Sequence, residues 1–282
     1  MIVSHKHKFI FLKTQKTAGT SLQVALSEHC GEDDLTLGPM YKEETIKILK
    51  RTSIPPTVFT SRDTIDERYY KGTKKGVFFN PSAPKSYSDH HEVRHPHCPL
   101  SPLKKAVGDK IWNGYFKFAF IRNPFDCIIS KYHFDFYKKG NRGVPGGDVE
   151  GFRKYVKDKK YHHSQYPILF YPWLCDIEKK FSPSLTTKTP YILRESEINP
   201  YDKGIDVDFV GKYENLNEDI NHIGKKLGLK ITLPKINAHT KPKVTAKINE
   251  YYDKETYSII KEYFKHDINK FYKNENKFNT TK

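Results

Sequence analysis

The strongest constraint on this chain is a short apolar run that ends in a turn of small and hydroxyl-bearing residues. Phe9-Ile-Phe-Leu12 is flanked by Lys8 and Lys13, and residues 7–12 predict a short buried strand. Lys13-Thr-Gln-Lys16-Thr-Ala-Gly19 follows as a turn. A helix is expected from about Thr20 to His29, with Leu22, Ala25 and Leu26 on one face. Strand, turn and helix in that order open many α/β domains. The turn also carries chemistry. Backbone N–H groups of a small-residue turn point at an anion, and the dipole of the following helix adds partial positive charge. Lys16 brings a full charge, while Thr17, Thr20 and Ser21 bring hydroxyls. The glycine follows the lysine instead of preceding it, which separates this turn from the nucleoside-triphosphate P-loop. The plainer alternative is an ordinary strand–helix turn with a solvated lysine.

A second apolar strand is expected over Tyr115–Ile121. It breaks at Arg122-Asn123-Pro124, and a helix is predicted from about Phe125 to Lys139. An arginine at the end of a buried strand stands where open α/β sheets take ligands. Ser130 lies about two turns into the helix, facing its entry. A guanidinium with a hydroxyl suits a phosphate monoester. The alternative is an Arg122–Asp126 structural clamp.

The two segments together, KTAGTSL and, about a hundred residues later, FAFIRNPFDCIISKY, resemble the sulfotransferases that use 3′-phosphoadenosine 5′-phosphosulfate (PAPS). The likeness is to the carbohydrate branch, which includes the heparan sulfate 2-O- and chondroitin 4-O-sulfotransferases. It implies an α/β fold: a single P-loop-like domain with a central, mainly parallel sheet flanked by helices. It also implies that Lys16, Thr17, Ala18, Gly19, Thr20 and Ser21 bind the 5′-phosphosulfate, with Lys16 at the bridging oxygen. Arg122 and Ser130 would bind the 3′-phosphate. Phe209-Val-Gly-Lys-Tyr213-Glu214-Asn-Leu and the C-terminal run from Asn237 through Tyr251 to Phe271 also resemble family segments. Residues 30–110 and 140–205 carry little of the likeness. One departure is Cys127, where the family often has arginine.

A third constellation is rich in histidine: Asp89-His90-His91-Glu92-Val-Arg94-His95-Pro96-His97-Cys98. Histidine titrates near neutrality and suits a general base for transfer to a hydroxyl. A zinc site lacks a recognised ligand spacing here, so no metal is expected. A functionless solvated loop is the remaining alternative. The 2-O-sulfotransferase branch has a His-x-His pair shortly before the 3′-phosphate motif, and His95-Pro-His97 resembles it. The resemblance therefore implies His97 as base, His95 as its helper and His91 next.

Lys and Arg outnumber Asp and Glu by 49 − 33 = 16, which predicts an anionic partner without choosing one. Arg62, Arg68, Lys71, Lys74, Lys75, Lys85 and Arg94 could line a groove for an acidic oligosaccharide or form a solvated face. Hydrophobic residues at 37% exclude a disordered chain, and aromatics at 14% imply a core leaning on Tyr and Phe. The four cysteines lack metal-type spacing and read as reduced thiols. No secretory h-region or membrane-length apolar stretch is seen, so a cytoplasmic or otherwise soluble intracellular protein is expected.

Along the rest of the chain, Val58-Phe59-Thr60 is a candidate strand, and residues 71–102 show no convincing period. They are expected to be a long loop or subdomain on the acceptor side. Residues 140–147 read as a turn, 152–185 as partly helical, and Tyr191–Leu193 and Phe209–Gly211 as short strands. A helix is expected over Glu214–Leu227, stopped at Gly228, and a last one from about Lys254 to Tyr272. That last helix carries Tyr257, Ile260, Phe264, Ile268 and Phe271 on one stripe. One sulfotransferase domain over residues 1–272 and a frayed basic tail over 273–282 are the expected organisation. The function read here is transfer of a sulfuryl group from PAPS to an acceptor hydroxyl, with a glycan as partner and no specific nucleic acid. Two rivals stay open. A nucleotide-dependent small-molecule kinase lacks the GxxxxGK[ST] motif, and a non-catalytic polyanion-binding protein leaves the paired motifs unexplained.

Overall fold

A computed structural model of the chain describes residues 1–31, 33–36, 58–61, 76–79, 97–138, 146–158, 170–176, 199–234 and 248–274. These group into two compact units, each assembled from separated stretches. The first takes Met1–Ile121, Pro172–Asp176 and Ile205–Ile236; the second takes Arg122–Tyr171, Ile177–Gly204 and Asn237–Lys282.

The first unit is built on a five-stranded sheet of order β3-β1-β2-β6-β7. Its strands are β1 (Ile2–Ser4), β2 (Phe9–Leu12), β3 (Leu35–Thr36), β6 (Phe116–Ile121) and β7 (Phe209–Lys212). The centre is parallel: β2 pairs with β6, Leu12 opposite Ala119, and β6 pairs with β7. The edge formed by β1 and β3 is antiparallel. Strands buried on both faces read as continuous apolar runs, and β2 is buried at every position. The helices α1 (Gly19–Ser27) and α6 (Leu216–Leu227, stopped at Gly228) cover the sheet. Leu22, Ala25 and Leu26 of α1 and Ile220 and Ile223 of α6 share one core with Phe9, Phe11, Phe118 and Phe120. Phe11 stacks on Phe118 with ring centroids 5.4 Å apart. The fold is thus α/β, with a mixed sheet that is parallel at its centre and flanked by helices.

The candidate strand at Val58 is present, and two elements near it in sequence differ from the expected pattern. The Val58 segment forms β4 (Val58–Ser61), which pairs antiparallel with β5 (Gly76–Phe79) in a separate two-stranded sheet. β5 lies within the stretch that shows no period, because four residues are too few to carry one. The same stretch ends inside α2 (Leu100–Gly114), a helix that tolerates Pro102 in its first turn. α2 is interrupted at Gly108, whose φ of 76° and ψ of 163° only glycine adopts at little cost.

The second unit is helical in its described residues. It contains α3 (Pro124–Lys138), α4 (Val149–Lys157), α7 (Ile248–Tyr251), α8 (Lys254–Tyr263) and α9 (Lys265–Asp267). The short α5 (Tyr171–Leu174) stands where the chain passes back into the first unit. Aromatic rings fill the interior: Phe125 stacks on Tyr257 with centroids 4.5 Å apart, and Tyr252 donates its hydroxyl to the Phe125 carbonyl at 2.9 Å. The expected last helix breaks at Phe264 and resumes through α9 into a π turn over Ile268–Tyr272. The break keeps Ile260, Phe264 and Ile268 buried and also brings Asp267 inside, 1% exposed. Asp267 accepts from the Tyr201 hydroxyl and from the Phe170 amide. Burial pushes its carboxyl up to about 7, against the pull of those two bonds. A carboxyl held above its ordinary range stabilises the fold most at acid pH, and that contribution falls as the pH rises towards 7.

Among the described residues no helix is long and apolar enough to cross a membrane. Residues 140–145, Tyr191–Leu193 and the basic residues proposed for an acceptor groove lie outside the described residues.

Candidate functional site

The turn after β2 is held by a chain of hydroxyls. Thr14 Oγ1 donates to the carbonyl of Phe120 in the neighbouring strand β6. A carbonyl can only accept, so the single Thr14 proton is spent there. The 2.7 Å contact between the Thr14 and Thr17 hydroxyls must therefore take its proton from Thr17. Thr17 is 1% exposed, and its side chain serves the turn itself. Two residues beside it take the left-handed conformation, Lys16 at φ 62° and Ala18 at φ 58°. Each costs roughly 1–2 kcal/mol for a residue with a Cβ.

The turn delivers the N-terminus of α1 in a form suited to an anion. Ala18 occupies the N-cap position and offers no side-chain cap, and the first turn holds no acidic residue. The helical ladder begins with Leu22 N donating to Ala18 O at 3.0 Å, so the amides of Gly19, Thr20 and Ser21 precede it. Thr20 and Ser21 are half-buried, as is Lys16. Gly19 is required by a close approach: a Cβ there would lie 2.8 Å from Lys13 Cγ and 3.3 Å from the Thr14 carbonyl oxygen.

His97 belongs to the same unit. Its Nδ1 lies 2.7 Å from the carbonyl oxygen of Lys13. Since that oxygen accepts, Nδ1 carries the proton and, in the neutral ring, Nε2 is the basic nitrogen. This is the tautomer in which Nε2 takes a proton. His91 and His95 lie outside the described residues. Among the described residues no cluster of three or more His, Cys, Asp or Glu is placed to hold a metal.

β6 ends at Ile121, and Arg122 is the next residue, at the head of the second unit. Arg122 is 6% exposed, and its Nε and Nη2 both donate to Asp126 Oδ2, at 2.6 and 2.5 Å. The i,i+4 clamp suggested by the spacing is therefore present, and it fixes the plane of the guanidinium. Asn123 caps α3 by accepting from the Phe125 amide at 3.1 Å. Ser130, 6% exposed, donates its hydroxyl to none of the described residues. Cys127, at the position where arginine is common in similar sequences, is fully buried and adds no cationic contact.

Each turn keeps its expected residues in one unit: Lys16 to Ser21 and His97 in the first, Arg122 and Ser130 in the second. Lys13 escapes a reading by residue type, because a lysine beside a strand is by default a solvated one. Its signal was the glycine six residues later, where the buried stem passes.

The sequence pattern of the sulfotransferase family matches residues 1–278. An uncharacterised protein of Archaeoglobus fulgidus is 29% identical over 131 residues, which cover 46% of this chain and 82% of that protein. No solved structure matches the chain. With the family pattern running over nearly its whole length, this chain belongs to the sulfotransferase family.

Proposed function

We propose that the chain moves a sulfuryl group from PAPS to a hydroxyl of a carbohydrate. The observation that carries this reading is the α1 N-terminus, uncapped by any side chain and preceded by Lys16 in a left-handed turn. Such a turn collects amides and a cation for an anion, and the family membership makes a phosphosulfate the fitting one.

In this reading the acceptor hydroxyl attacks sulfur in line, and the bond from sulfur to the bridging phosphate oxygen breaks. His97 Nε2 takes the hydroxyl proton, with Nδ1–H anchored on the Lys13 carbonyl. Lys16 and the amides of Gly19, Thr20 and Ser21 stabilise the charge that grows on the bridging oxygen as adenosine 3′,5′-bisphosphate leaves. Arg122, aimed by Asp126, and Ser130 hold the 3′-phosphate and so distinguish PAPS from ATP. His95 and His91 stay as helper and second candidate base. The carbohydrate acceptor is favoured by the likeness to the carbohydrate branch and by the net charge of +16, which suits an acidic oligosaccharide.

Thermal unfolding with adenosine 3′,5′-bisphosphate, with ATP–Mg²⁺ and with buffer tests the donor. A ligand at 100 times its dissociation constant stabilises by about 2.7 kcal/mol. Stabilisation by the bisphosphate alone is expected; stabilisation by ATP–Mg²⁺ alone would overturn the reading.

A further inference from the structure

The break in the last helix at Phe264 turns one carboxyl group inward, and separate stretches of the second unit meet on it. Asp267 is 1% exposed. Its Oδ1 accepts from the Tyr201 hydroxyl and, at 3.3 Å, from the Phe170 amide. Tyr201 also meets Phe271 edge to face, with ring centroids 5.3 Å apart, so its ring rests on the π turn that follows Asp267. Phe170 and Tyr201 are buried, and each stands shortly before the chain leaves the second unit, after Tyr171 and after Gly204. The other carboxyl oxygen, Oδ2, is buried with no hydrogen-bond partner among the described residues.

Nothing described around Asp267 balances a negative charge there. The phenols of Tyr171, Tyr201 and Tyr263 face it, and burial holds Tyr171 and Tyr263 neutral. The charged or titratable groups on the same elements are Lys265, His266 and Lys270, then Asp202 and Lys203 beside Tyr201, and Glu262 on α8. Among the described residues none of them forms an ion pair with Asp267, and Lys265 pairs with Glu262 instead. His266 is shifted below its ordinary value, chiefly by burial, so it is largely neutral near pH 7.

We propose that Asp267 is a proton-operated latch of the second unit: the protonated carboxyl closes the C-terminal helices onto the Phe170 and Tyr201 segments, and loss of the proton lets those segments open. The neutral acid accepts both hydrogen bonds at Oδ1 and leaves only a hydroxyl out of water. The carboxylate leaves a charged oxygen buried without a donor, which costs far more than burying a neutral group. Opening relieves that cost, because water then reaches Oδ2. In the open segment the carboxyl titrates near its ordinary value of about 4. In the closed one it titrates at about 7. The closed form therefore has its full advantage below about pH 4, loses it progressively up to about pH 7, and loses no more above that. The latch does not depend on which group the protein transfers.

Hydrogen exchange of the full chain between about pH 5 and pH 8, read by mass spectrometry and corrected for the intrinsic rate at each pH, tests the latch. In the parent, protection of peptides holding Phe170 and Tyr201 should fall about tenfold per pH unit from about 5 to 7, and little above. Protection of β2, in the other unit, should not follow this course; a slope shared by β2 would make the effect global and overturn a local latch. Asp267→Asn keeps an acceptor at Oδ1 and cannot ionise, so protection of the two segments should be flat over the same range. Tyr201→Phe removes a donor that favours the carboxylate, so the fall should continue above about pH 7. A parent with flat protection overturns the latch, and so does an Asp267→Asn protein that keeps the parent's slope. Should Asp267→Asn fail to fold, the Tyr201→Phe profile decides: levelling at the same pH as the parent overturns the proposal.

Discussion

The turn after β2 and the turn after β6 solve the start of a helix in opposite ways. After β6, Asn123 caps the first turn of α3 and Asp126 clamps Arg122, so the backbone is satisfied by its own neighbours. After β2, Ala18 caps nothing, no acid enters the first turn, and Lys16 and Ala18 bear left-handed backbone. In the proposed function the two turns would meet the ligand differently. The second would offer side chains, Arg122 ahead of a capped helix and Ser130 on it. The first offers main-chain amides, at the cost of local strain that the Thr14 and Thr17 hydroxyls and the Lys13 stem hold in place. Backbone donors are fixed and suit charge that develops during reaction. A guanidinium fork suits a charge that is present throughout.

The sharpest division between the two turns lies in kinetics. Lys16→Ala should lower kcat by about 10²- to 10³-fold, the loss typical of a donor aimed at developing charge. Its effect on bisphosphate binding should be much smaller. Arg122→Ala should instead raise the donor KM by roughly 10- to 100-fold, the worth of hydrogen bonds to a charged group. Arg122→Lys should restore only part of this, because a lysine lacks the fork. Steady-state kinetics over a range of donor concentrations separates the two. If both alanine variants moved the same parameter, the division of labour would be wrong.

Gly19→Ala probes the packing of the first turn. In a free helix the change favours the fold, by about 1 kcal/mol. Here the new Cβ would fall 2.8 Å from Lys13 Cγ and 3.3 Å from a main-chain oxygen, so neither neighbour yields easily. Overpacking of this kind typically costs about 1–3 kcal/mol. The denaturation midpoint should drop, with the slope unchanged. A stabilised Gly19→Ala protein would mean that the Lys13 stem does not hold this turn.

The two turns also differed in how readily the sequence announced them. β2 and β6 are runs of buried residues, and an apolar run between lysines or before Arg-Asn-Pro is hard to misread. The Arg122–Asp126 clamp follows from i,i+4 spacing alone. β1, with three residues, and β3, with two, carry no period, so the antiparallel edge of the sheet was invisible. α2 was hidden by its own breakers, Pro102 and Gly108, which the helix absorbs in its first turn and at an interruption. The break at Phe264 left no trace either, because Ile260, Phe264 and Ile268 keep a helical spacing across it. At the candidate site, the residues proposed to face a ligand were chosen by their types. The residues that brace them were not: the burial of Lys13 and the bond from His97 to its carbonyl depend on tertiary packing.

The smallest effect is expected at Ala18, and it bears on the claim of strain. Ala18 sits at φ 58° and ψ 22°, where its Cβ crowds the backbone. Ala18→Gly relieves roughly 1–2 kcal/mol of that conflict. It also frees the unfolded chain, which takes back roughly 0.4–1 kcal/mol. The net should be a gain of between about 0 and 1.6 kcal/mol in stability by denaturant titration, from the difference of those two terms. Transfer activity is a separate matter. A glycine loosens the entry to α1, and amides that must stand ready for charge lose by any added freedom. A variant that is slightly more stable and somewhat slower would show that the turn after β2 spends stability on the placement of its amides, as the self-capped turn after β6 does not. A variant that is less stable and equally active would show that the left-handed backbone carries no strain, and the contrast between the turns would rest on capping alone.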